Sequence, residues 1–380
     1  VKAFERIPYR VLRREADSLG YPLRLLKLAI ATYKLPRVIR VGNAVSDLVW
    51  AVRGIVAGSG LATTEMRLVM IDIVDKALVV HPHVTPTLFV DDLSNERSGD
   101  RPTIALELGG FTNIVIARIK ADGMEVSTTK SLISASSPTL GEEVKAELAD
   151  NGIPYTLRVK SLGVGLAAGV ARNTRVMNTR LKQFKKRLPR FRSLRRVGVD
   201  TAVIIRTGGL AALMHGFGGM GVSPTTLLHQ RRAVMAATAP KSGLGGQQLE
   251  VALMIADGSK RGKADPAFPA HIDVVQHWAQ AIWNRWLPEP ALAASLSYAR
   301  NRTTGSDRPW SLVTGPAAAL LCTLDRVGWK VTSASCLVTD TGRTLDLLVD
   351  PPIVVARCME AAVRRWRWRN MAEVHPSLKQ

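Results

Sequence analysis

Residues 86–93 read PTLFVDDL, an apolar run that ends on two adjacent aspartates. Its side chains favour a β-strand, and Asp is a favoured residue in the tight turn that we expect next. Two carboxylates at a rigid hairpin tip supply the oxygen ligands that a hard divalent cation such as Mg²⁺ prefers. Asp91 and Asp92 are therefore candidate metal ligands, although an isolated Asp-Asp pair is also common in ordinary turns. We expect an acidic, flexible segment to follow, through Asp100.

Further short motifs lie on both sides of this run. Residues 1–7 read VKAFERI and residues 53–60 read RGIVAGSG. Residues 122–124 read DGM, with Lys130 seven residues after the glycine, and residues 161–164 read SLGV. In this order and spacing, residues 1–165 resemble a reverse transcriptase of the non-LTR (LINE-type) retrotransposon class.

Two departures from the family pattern stand out. The aspartate that usually opens the first motif would lie two residues before Val1, so we expect this chain to be a fragment of a longer polyprotein. In the second motif the usual Gln-Gly-x-Pro reads AGSG at residues 57–60. The change removes the amide of the glutamine and the rigidity of the proline.

The resemblance implies a two-metal nucleotidyl transfer from dNTP to a primer 3′-hydroxyl, with Mg²⁺, or Mn²⁺ in its place, as cofactor. Asp91 would be the principal metal ligand of this chain and Asp92 a peripheral one. Lys130 would neutralise or protonate the departing pyrophosphate. The implied partners are an RNA template, a DNA primer, their RNA–DNA hybrid and dNTP.

The resemblance also assigns binding roles to the other motifs. The ring of Phe4 would lie beneath the sugar and exclude a 2′-hydroxyl, although core packing explains a phenylalanine equally well. Leu162 and Gly163 would turn the chain against the primer strand. The remaining nucleotide-binding candidates, from the glycine-rich second motif, are Arg53, Gly54 and Gly58.

Composition points in the same direction. The chain has 380 residues, a formal net charge of +21 and 46% hydrophobic residues. A strongly basic protein of this size has a polyanionic partner, and nucleic acid fits better than membrane because no run approaches the roughly 20 apolar residues of a membrane span. Three widely spaced cysteines indicate a reducing, intracellular environment. For a retroelement protein we expect a nuclear location with a cytoplasmic ribonucleoprotein phase.

Positive charge is concentrated in the segment 172–196. No Asp or Glu lies between residues 151 and 199 to offset its lysines and arginines. Apolar residues recur in it at helical spacing, and Pro189 should split the helix. We interpret it as a polymerase thumb that faces a phosphate backbone; a solvated basic face is the alternative. The nucleic-acid-binding candidates are Arg180, Lys182, Lys185, Lys186, Arg187 and Arg190.

The expected fold class is α+β. Residues 1–165 should form a polymerase palm, an antiparallel sheet packed on helices, with hairpins near residues 42–43 and 91–92 and a strand pair near 124–134. A helical thumb (166–240), a linker (241–250) and a C-terminal region of unassigned fold (251–380) should follow. We expect helices near residues 9–19, 22–33, 63–80, 102–121, 139–150, 172–196, 199–215 and 271–286.

Two features of the C-terminal region leave alternatives open. Residues 364–369 read RRWRWR, which could stack bases and grip phosphates or could pack its tryptophans inward. The segments 257–259 and 340–342 resemble openings of ribonuclease H strands, but we interpret both as turns. In 271–286, one apolar face is expected, formed by Val275, Trp278, Ala279, Ile282 and Trp286.

Two other functions stay open. The first is a nucleic-acid-binding protein without catalysis, such as the product of a decayed element. The second is an RNA-dependent RNA polymerase, which shares the palm carboxylates. Phe4 argues against the second, because a ribonucleotide polymerase needs room for the 2′-hydroxyl.

Overall fold

The computed structural model describes residues 3–167, 169, 172–239, 249–258 and 263–374. Within this part of the chain the fold is mixed α+β, as predicted, with many helices and small antiparallel sheets. The chain divides into two compact units, Val1–Leu157 and Arg158–Gln380. The aspartate pair belongs to the first unit and the acid-free basic segment belongs to the second.

The first unit is built from helices and two separate hairpins. Strands β1 (Arg40–Val41) and β2 (Ala44–Val45) pair with each other, and so do β3 (Thr85–Phe89) and β4 (Asp92–Glu96). Short 3₁₀ turns lie at Ala3–Arg6 and Ala149–Asn151. The helices are α1 (Tyr9–Ser18), α2 (Leu23–Tyr33), α3 (Ala62–Val80), α4 (Arg101–Ala121) and α5 (Pro138–Glu147).

The helix starts follow from the local sequence. The carboxylate of Asp100 accepts a hydrogen bond from the backbone N–H of Thr103 at 3.2 Å, and Pro102 occupies the first turn of α4, where no N–H needs a partner. Ser137 caps α5 in the same way through the N–H of Leu140. These starts agree with the predicted helices.

Two expectations for this unit were wrong. Residues 92–96 form strand β4 instead of a flexible acidic segment, because they complete the ladder with β3. No strand pair forms at residues 124–134; a turn lies at 127–130, and Ile133 makes an isolated parallel bridge with Tyr155. The strands of this unit therefore form small separate sheets, where a single palm sheet was expected.

The β1–β2 hairpin confirms the turn predicted at residues 42–43, with Gly42 at φ 59°. Its apolar side chains are not packed on the core of the first unit. Val41 is 74% exposed, and Trp50 and Val52, just after the hairpin, are 62% and 83% exposed. Burial therefore contributes little to the stability of this hairpin within the described chain.

The second unit contains the other helices and two further sheets. Strands β5 (Arg158–Ser161) and β6 (Val164–Ala167) form a hairpin, and β7 (Lys330–Ser333), β8 (Cys336–Val338) and β9 (Thr344–Asp346) form an antiparallel meander. The helices are α6 (Arg175–Lys186), α7 (Leu188–Arg196), α8 (Thr201–Ile204), α9 (Leu210–Met214), α10 (Pro224–Thr238), α11 (Leu249–Asp257), α12 (Ala267–Trp283), α13 (Glu289–Thr303), α14 (Pro316–Val327) and α15 (Pro352–Val374).

The basic segment forms two helices that are split at Arg187, as Pro189 predicted. The expected partner helix at 199–215 is divided into α8, a π-helical turn (Ile205–Gly209) and α9. Most of the linker expected at 241–250 lies outside the described residues, and α11 begins at Leu249. Trp366 of α15 packs against both hydrophobic cores of this unit.

The apolar face predicted for 271–286 is confirmed except at its end. Trp278 is buried, and its indole N–H donates to the backbone oxygen of Ala334 at 2.9 Å. Trp286 is 59% exposed, so its assignment to the apolar face was wrong. The reason is that α12 ends at Trp283 and the chain then turns through Arg285.

The Arg-Trp run at 364–369 lies within α15, and its arginines are engaged by carboxylates. Arg364 pairs with Glu360, and Arg365 donates two hydrogen bonds to Asp340. Arg367 is only 2% exposed. Its guanidinium pairs with Glu250, Asp257 and Asp265. Trp366 packs inward as the second alternative expected, whereas Trp368 is 55% exposed and does not.

The two segments that were interpreted as turns are described except for Ser259, which lies outside the described residues. Asp257 is the last residue of α11, and its carboxylate accepts from the backbone N–H groups of Ala264 and Asp265. Asp340 lies in the turn between β8 and β9. No described helix is long and apolar enough to cross a membrane.

Candidate functional site

The turn between β3 and β4 consists of Val90 and Asp91, closed by the Phe89–Asp92 pair. Val90 has φ 61°, a left-handed conformation that is strained for a β-branched residue. Such strain persists only where the surrounding structure holds it. The side chain of Val90 is partly buried and packs against the main core of the first unit. This packing stabilises the strained backbone conformation.

Asp91 and Asp92 are both exposed at this tip. Neither carboxylate takes part in a hydrogen bond or ion pair with any residue that the structure describes. Other acids of the unit are engaged, as with Asp100 at the start of α4 and the partly buried Asp72 beside Lys76. The tip therefore offers carboxylate oxygens that no protein group neutralises.

These oxygens fit a hard divalent cation. Mg²⁺ is usually held by one or two carboxylates, with water and substrate phosphates in the other positions. No group of three or more His, Cys, Asp or Glu side chains among the described residues forms a complete metal cage. A metal at this tip would thus need oxygens from a substrate or from elsewhere in the polypeptide.

The first and second motifs are brought together by backbone hydrogen bonds. The N–H of Gly54 donates to the oxygen of Ile7 at 2.8 Å, and that of Ile55 donates to the oxygen of Phe4 at 2.7 Å. Gly54 has φ 97°, and a Cβ there would lie 2.8 Å from the backbone oxygen of Glu5. Only glycine fits this contact.

Phe4 is partly buried in the core that also receives Leu88 and Val90 from the carboxylate hairpin. The structure therefore places the aromatic of the first motif, the Gly54 contact and the base of the hairpin around one core. Arg53 and Gly58 are exposed. Gly58 has φ 95° with open space around it, so its backbone conformation is what requires glycine.

A buried network beneath the glycine-rich loop was not predicted. The hydroxyl of Tyr33 donates to Glu65 at 2.8 Å and lies 3.0 Å from the hydroxyl of Ser59. Burial raises the pKa of Glu65, and it raises the pKa of Tyr33 to about 12. This network ties the loop to α2 and α3. No local signal marked it, since Tyr33 and Glu65 are far apart in sequence.

A groove of about 460 Å³ lies between α3 and the end of β3. Arg67, Ile71 and Asp75 line one wall at the four-residue spacing of a single helix face. Phe89, which is 58% exposed, lines the other wall next to the carboxylate tip. The groove provides apolar surface and a cation immediately beside the tip.

Lys130 lies in the turn that replaces the expected strand pair. Its backbone N–H donates to the oxygen of Ser127, and its side chain is exposed. No hydrogen bond or ion pair among the described residues connects it with the carboxylate hairpin.

The primer-grip candidates form a tight turn, as predicted. Leu162 (φ 46°) and Gly163 (φ 81°) connect β5 to β6 in the second unit. Arg180 donates to the backbone oxygen of Gly163 at 2.8 Å and to that of His215. His215 in turn contacts the oxygen of Leu162 at 3.2 Å. Side chains of α6 and the α9 end therefore hold this turn.

Arg180 differs from the other basic candidates because its guanidinium is hydrogen-bonded to the backbone of the Leu162–Gly163 turn and of His215. Burial lowers the pKa of its guanidinium, which also lies 5.7 Å from the ring centre of Phe217. Its hydrogen bonds are used inside the fold, so its structural role accounts for its position. That Arg180 contacts a phosphate backbone stays a prediction.

The other five basic candidates share an open surface, which we call the α6–α7 basic face. Each side chain is exposed, and none forms an ion pair or hydrogen bond with a described residue. A shallow groove of about 470 Å³ runs along this surface beside Leu181. The members of the face are Lys182, Lys185, Lys186, Arg187 and Arg190.

The apolar stripe of the same helices is buried as predicted. Leu181, Phe184 and Phe191 are each less than a tenth exposed, and the two phenylalanine rings are 5.8 Å apart. Their burial fixes which way the helices face, so the cations are directed to solvent.

Comparison with family models, with functionally characterised proteins and with solved structures finds no match for this chain. The functional assignment therefore depends on the residues and on their geometry.

Proposed function

We propose that this chain is part of an RNA-directed DNA polymerase of the LINE-type retroelement class. The observation that carries the proposal is the pair of unpartnered carboxylates, Asp91 and Asp92, on a strained hairpin tip. Val90 at this tip packs against the same hydrophobic core as Phe4. The backbone around Phe4 is hydrogen-bonded to the loop that contains Gly54. Three of the segments that resemble palm motifs thus lie in one unit, which supports the proposal.

The carboxylates of the tip have the roles of metal ligands in this proposal. A divalent metal ion, when bound, supplies charge neutralisation and activation of the primer hydroxyl. Asp91 is the principal ligand from this chain and Asp92 the peripheral one. Chemistry of this type consists mainly of positioning and electrostatic stabilisation, so the rigid tip matters as much as the carboxylates.

The other motifs position the substrates. Phe4 lies beneath the sugar of the incoming dNTP, while Gly54 and Gly58 allow the backbone to approach it. Arg53 is free to contact phosphate. Lys130, whose side chain is exposed, neutralises or protonates the departing pyrophosphate.

The assignment of the metal site can be tested by Mn²⁺ binding to this chain in the presence of an RNA template, a DNA primer and dNTP. We expect Asp91→Asn to weaken Mn²⁺ binding, measured by electron paramagnetic resonance, by at least about tenfold, since a ligand charge is lost. In a chain extended upstream to include the first-motif aspartate, the same change should lower primer extension by about 10³-fold.

Asp100→Asn is the matched control, because Asp100 is also an exposed acid on the first unit but caps α4. Asparagine caps a helix as well as aspartate does, so the fold should be kept. Equal Mn²⁺ affinity in the Asp91→Asn and Asp100→Asn variants would contradict the metal site.

A second candidate function is nucleic-acid binding without catalysis. The observation that favours it is the α6–α7 basic face, whose cations are exposed and unpaired among the described residues. This function needs no metal. It would be the better description if the chain bound RNA–DNA hybrid normally while the extended chain gave no Asp91-dependent primer extension.

A further inference from the structure

The turn that ends α12 has a fixed and unusual geometry. The N–H groups of Asn284, Arg285 and Trp286 donate to the oxygens of Gln280, Ile282 and Ala281 at 2.9, 3.1 and 3.0 Å. These bonds close the last turn of the helix and set the direction in which the next residues leave it. The side chains that follow are therefore presented from a rigid backbone.

Arg285 occupies the left-handed position of this helix end, with φ 51°. Glycine, or less often asparagine, usually fills such a position because other residues are strained there. The chain itself follows the rule at the end of α14, where Gly328 has φ 80°. Stability alone therefore does not explain an arginine at residue 285, and a strained residue of this kind indicates function.

The side chains of the turn are directed to solvent. Trp283 and Trp286 are 43% and 59% exposed, while Trp278 on the same helix is buried. The side chain of Arg285 is exposed and forms no hydrogen bond or ion pair with any described residue. The acid that follows, Glu289, accepts a hydrogen bond from the hydroxyl of Ser335 at 3.1 Å. The turn thus presents a free cation between two accessible indoles.

We propose that the Trp283–Trp286 turn binds unpaired nucleotides of single-stranded RNA or DNA. An accessible indole stacks on any base, and a guanidinium contacts the phosphate or adds a cation–π interaction. All residues from 283 to 291 are exposed, so the turn projects from the surface, and its positive charge suits a polyanion. The inference rests on the proposed function only in taking a polynucleotide as the partner.

A protein partner is the competing occupant, since Trp and Arg are also frequent at protein interfaces. The two occupants differ in what they require. Base stacking needs unpaired bases, so binding at this turn should be lost when the same strand is offered as a duplex. A protein interface, or self-association of this chain, would be indifferent to strand pairing.

The experiment uses fluorescein-labelled oligo(dT) with the full chain, and measures fluorescence anisotropy over a range of salt concentrations. We expect Trp286→Ala to weaken binding by roughly 5- to 100-fold, the effect of losing one stacked base. Arg285→Gly should also weaken binding and flatten the salt slope by about one unit. Neither change should alter affinity for an oligo(dA)–oligo(dT) duplex.

Arg285→Gly also distinguishes a loss of binding from a loss of stability. Glycine relieves the left-handed strain, so the melting temperature should stay the same or rise while single-strand affinity falls. Trp368→Ala is the control, because Trp368 is 55% exposed but lies on α15, where the neighbouring arginines are paired. It should leave oligo(dT) binding unchanged.

Unchanged oligo(dT) affinity in both Trp286→Ala and Arg285→Gly would overturn the inference. So would an equal loss of duplex affinity, or loss of self-association without loss of oligo(dT) binding. The Asp91→Asn variant keeps this test distinct from the polymerase proposal, because it should lose Mn²⁺ affinity and retain single-strand binding at the turn.

Discussion

Two arginine-rich helical segments of the second unit look alike in sequence and differ in what their charges do. The cations of the α6–α7 basic face are exposed and have no acidic partner among the described residues. The arginines at residues 364, 365 and 367 of α15 are paired with Glu360 and Asp340 or enclosed with Glu250, Asp257 and Asp265. The cations of the α6–α7 basic face are available to bind a ligand, whereas the paired arginines of α15 are neutralised by acids within the fold.

The difference arises from sequence distance. Around α6 and α7 no acid occurs between residues 151 and 199, so local pairing is excluded by composition alone. The partners of Arg367 come from α11 and the residues that follow it, more than one hundred positions earlier. Counting charges in the neighbouring sequence therefore predicts that the cations of α6 and α7 are unpaired. The same count misses the ion pairs of α15, because the acids lie far away in the sequence.

The largest effect is expected where the charges are buried. Arg367→Met fills a similar volume with an apolar side chain. It leaves Glu250 and Asp265 with Arg231 as their remaining arginine partner, and it leaves Asp257 with no arginine partner among the described residues. Removing one member of a buried ion-pair network costs about 3–5 kcal/mol. Urea unfolding followed by circular dichroism should show this loss.

The matched control is Arg364→Met on the same helix. Arg364 is 58% exposed and pairs with Glu360 at the surface, so its loss should cost less than about 1 kcal/mol. Similar destabilisation by the two changes would show that the α15 network is not the stabilising element that its burial indicates.

A smaller effect is expected for the α6–α7 basic face, and it concerns the free energy of nucleic-acid binding instead of unfolding. Replacing Lys185, Lys186 and Arg187 by Gln should flatten the log–log salt dependence of RNA–DNA hybrid binding by about two to three units. The cause is the loss of counterion release at the phosphates that these cations would neutralise. Affinity should fall for every sequence, since phosphate contacts carry no base information.

Folding should be unaffected by this triple change, because the three side chains are exposed and unpaired among described residues. A matched triple change on α15 is unsuitable for comparison, since its arginines are structural. If affinity and salt slope both stayed at wild-type values, the α6–α7 basic face would be a solvated helix surface without a nucleic-acid partner.

Much of the fold could be predicted because the signals were local. The helix caps at Asp100 and Ser137, the break at Pro189 and the turn at residues 162–163 each depend on a few adjacent residues. The strand pair near 124–134 failed for the opposite reason. There the chain formed a turn and a single bridge from Ile133 to Tyr155, more than twenty residues further along the chain.

The candidate site was predictable only in part. The hairpin tip followed from the apolar run and the adjacent aspartates of residues 86–93. The strain at Val90, the close contact of Gly54 with Glu5 and the diversion of Arg180 into the fold depend on packing between distant segments. No periodicity in a single sequence reports contacts of that kind.

The smallest expected effect concerns pH and the ion pair between Arg365 of α15 and Asp340, whose side chains are 41% and 5% exposed. Arg365 donates to both carboxylate oxygens of Asp340 at 2.7 Å, and this bond is the main cause that lowers the pKa of Asp340. A carboxyl whose pKa is lower in the folded state stabilises the fold above its unfolded pKa, near 3.9. That stability is lost as the pH falls through the folded pKa.

Asp340→Asn should therefore reduce stability at neutral pH by about 1 kcal/mol, the upper end for a pair with one exposed member. The difference between wild type and variant should shrink as the pH falls below about 4 and vanish once Asp340 is protonated in both states. Thermal unfolding between neutral and acidic pH measures it. Lys185→Gln on the α6–α7 basic face should follow the wild-type acid curve, because Lys185 has no carboxylate partner among the described residues to protonate. A constant difference between Asp340→Asn and wild type across the acidic range would mean that shape, and not the Arg365 ion pair, makes Asp340 stabilising.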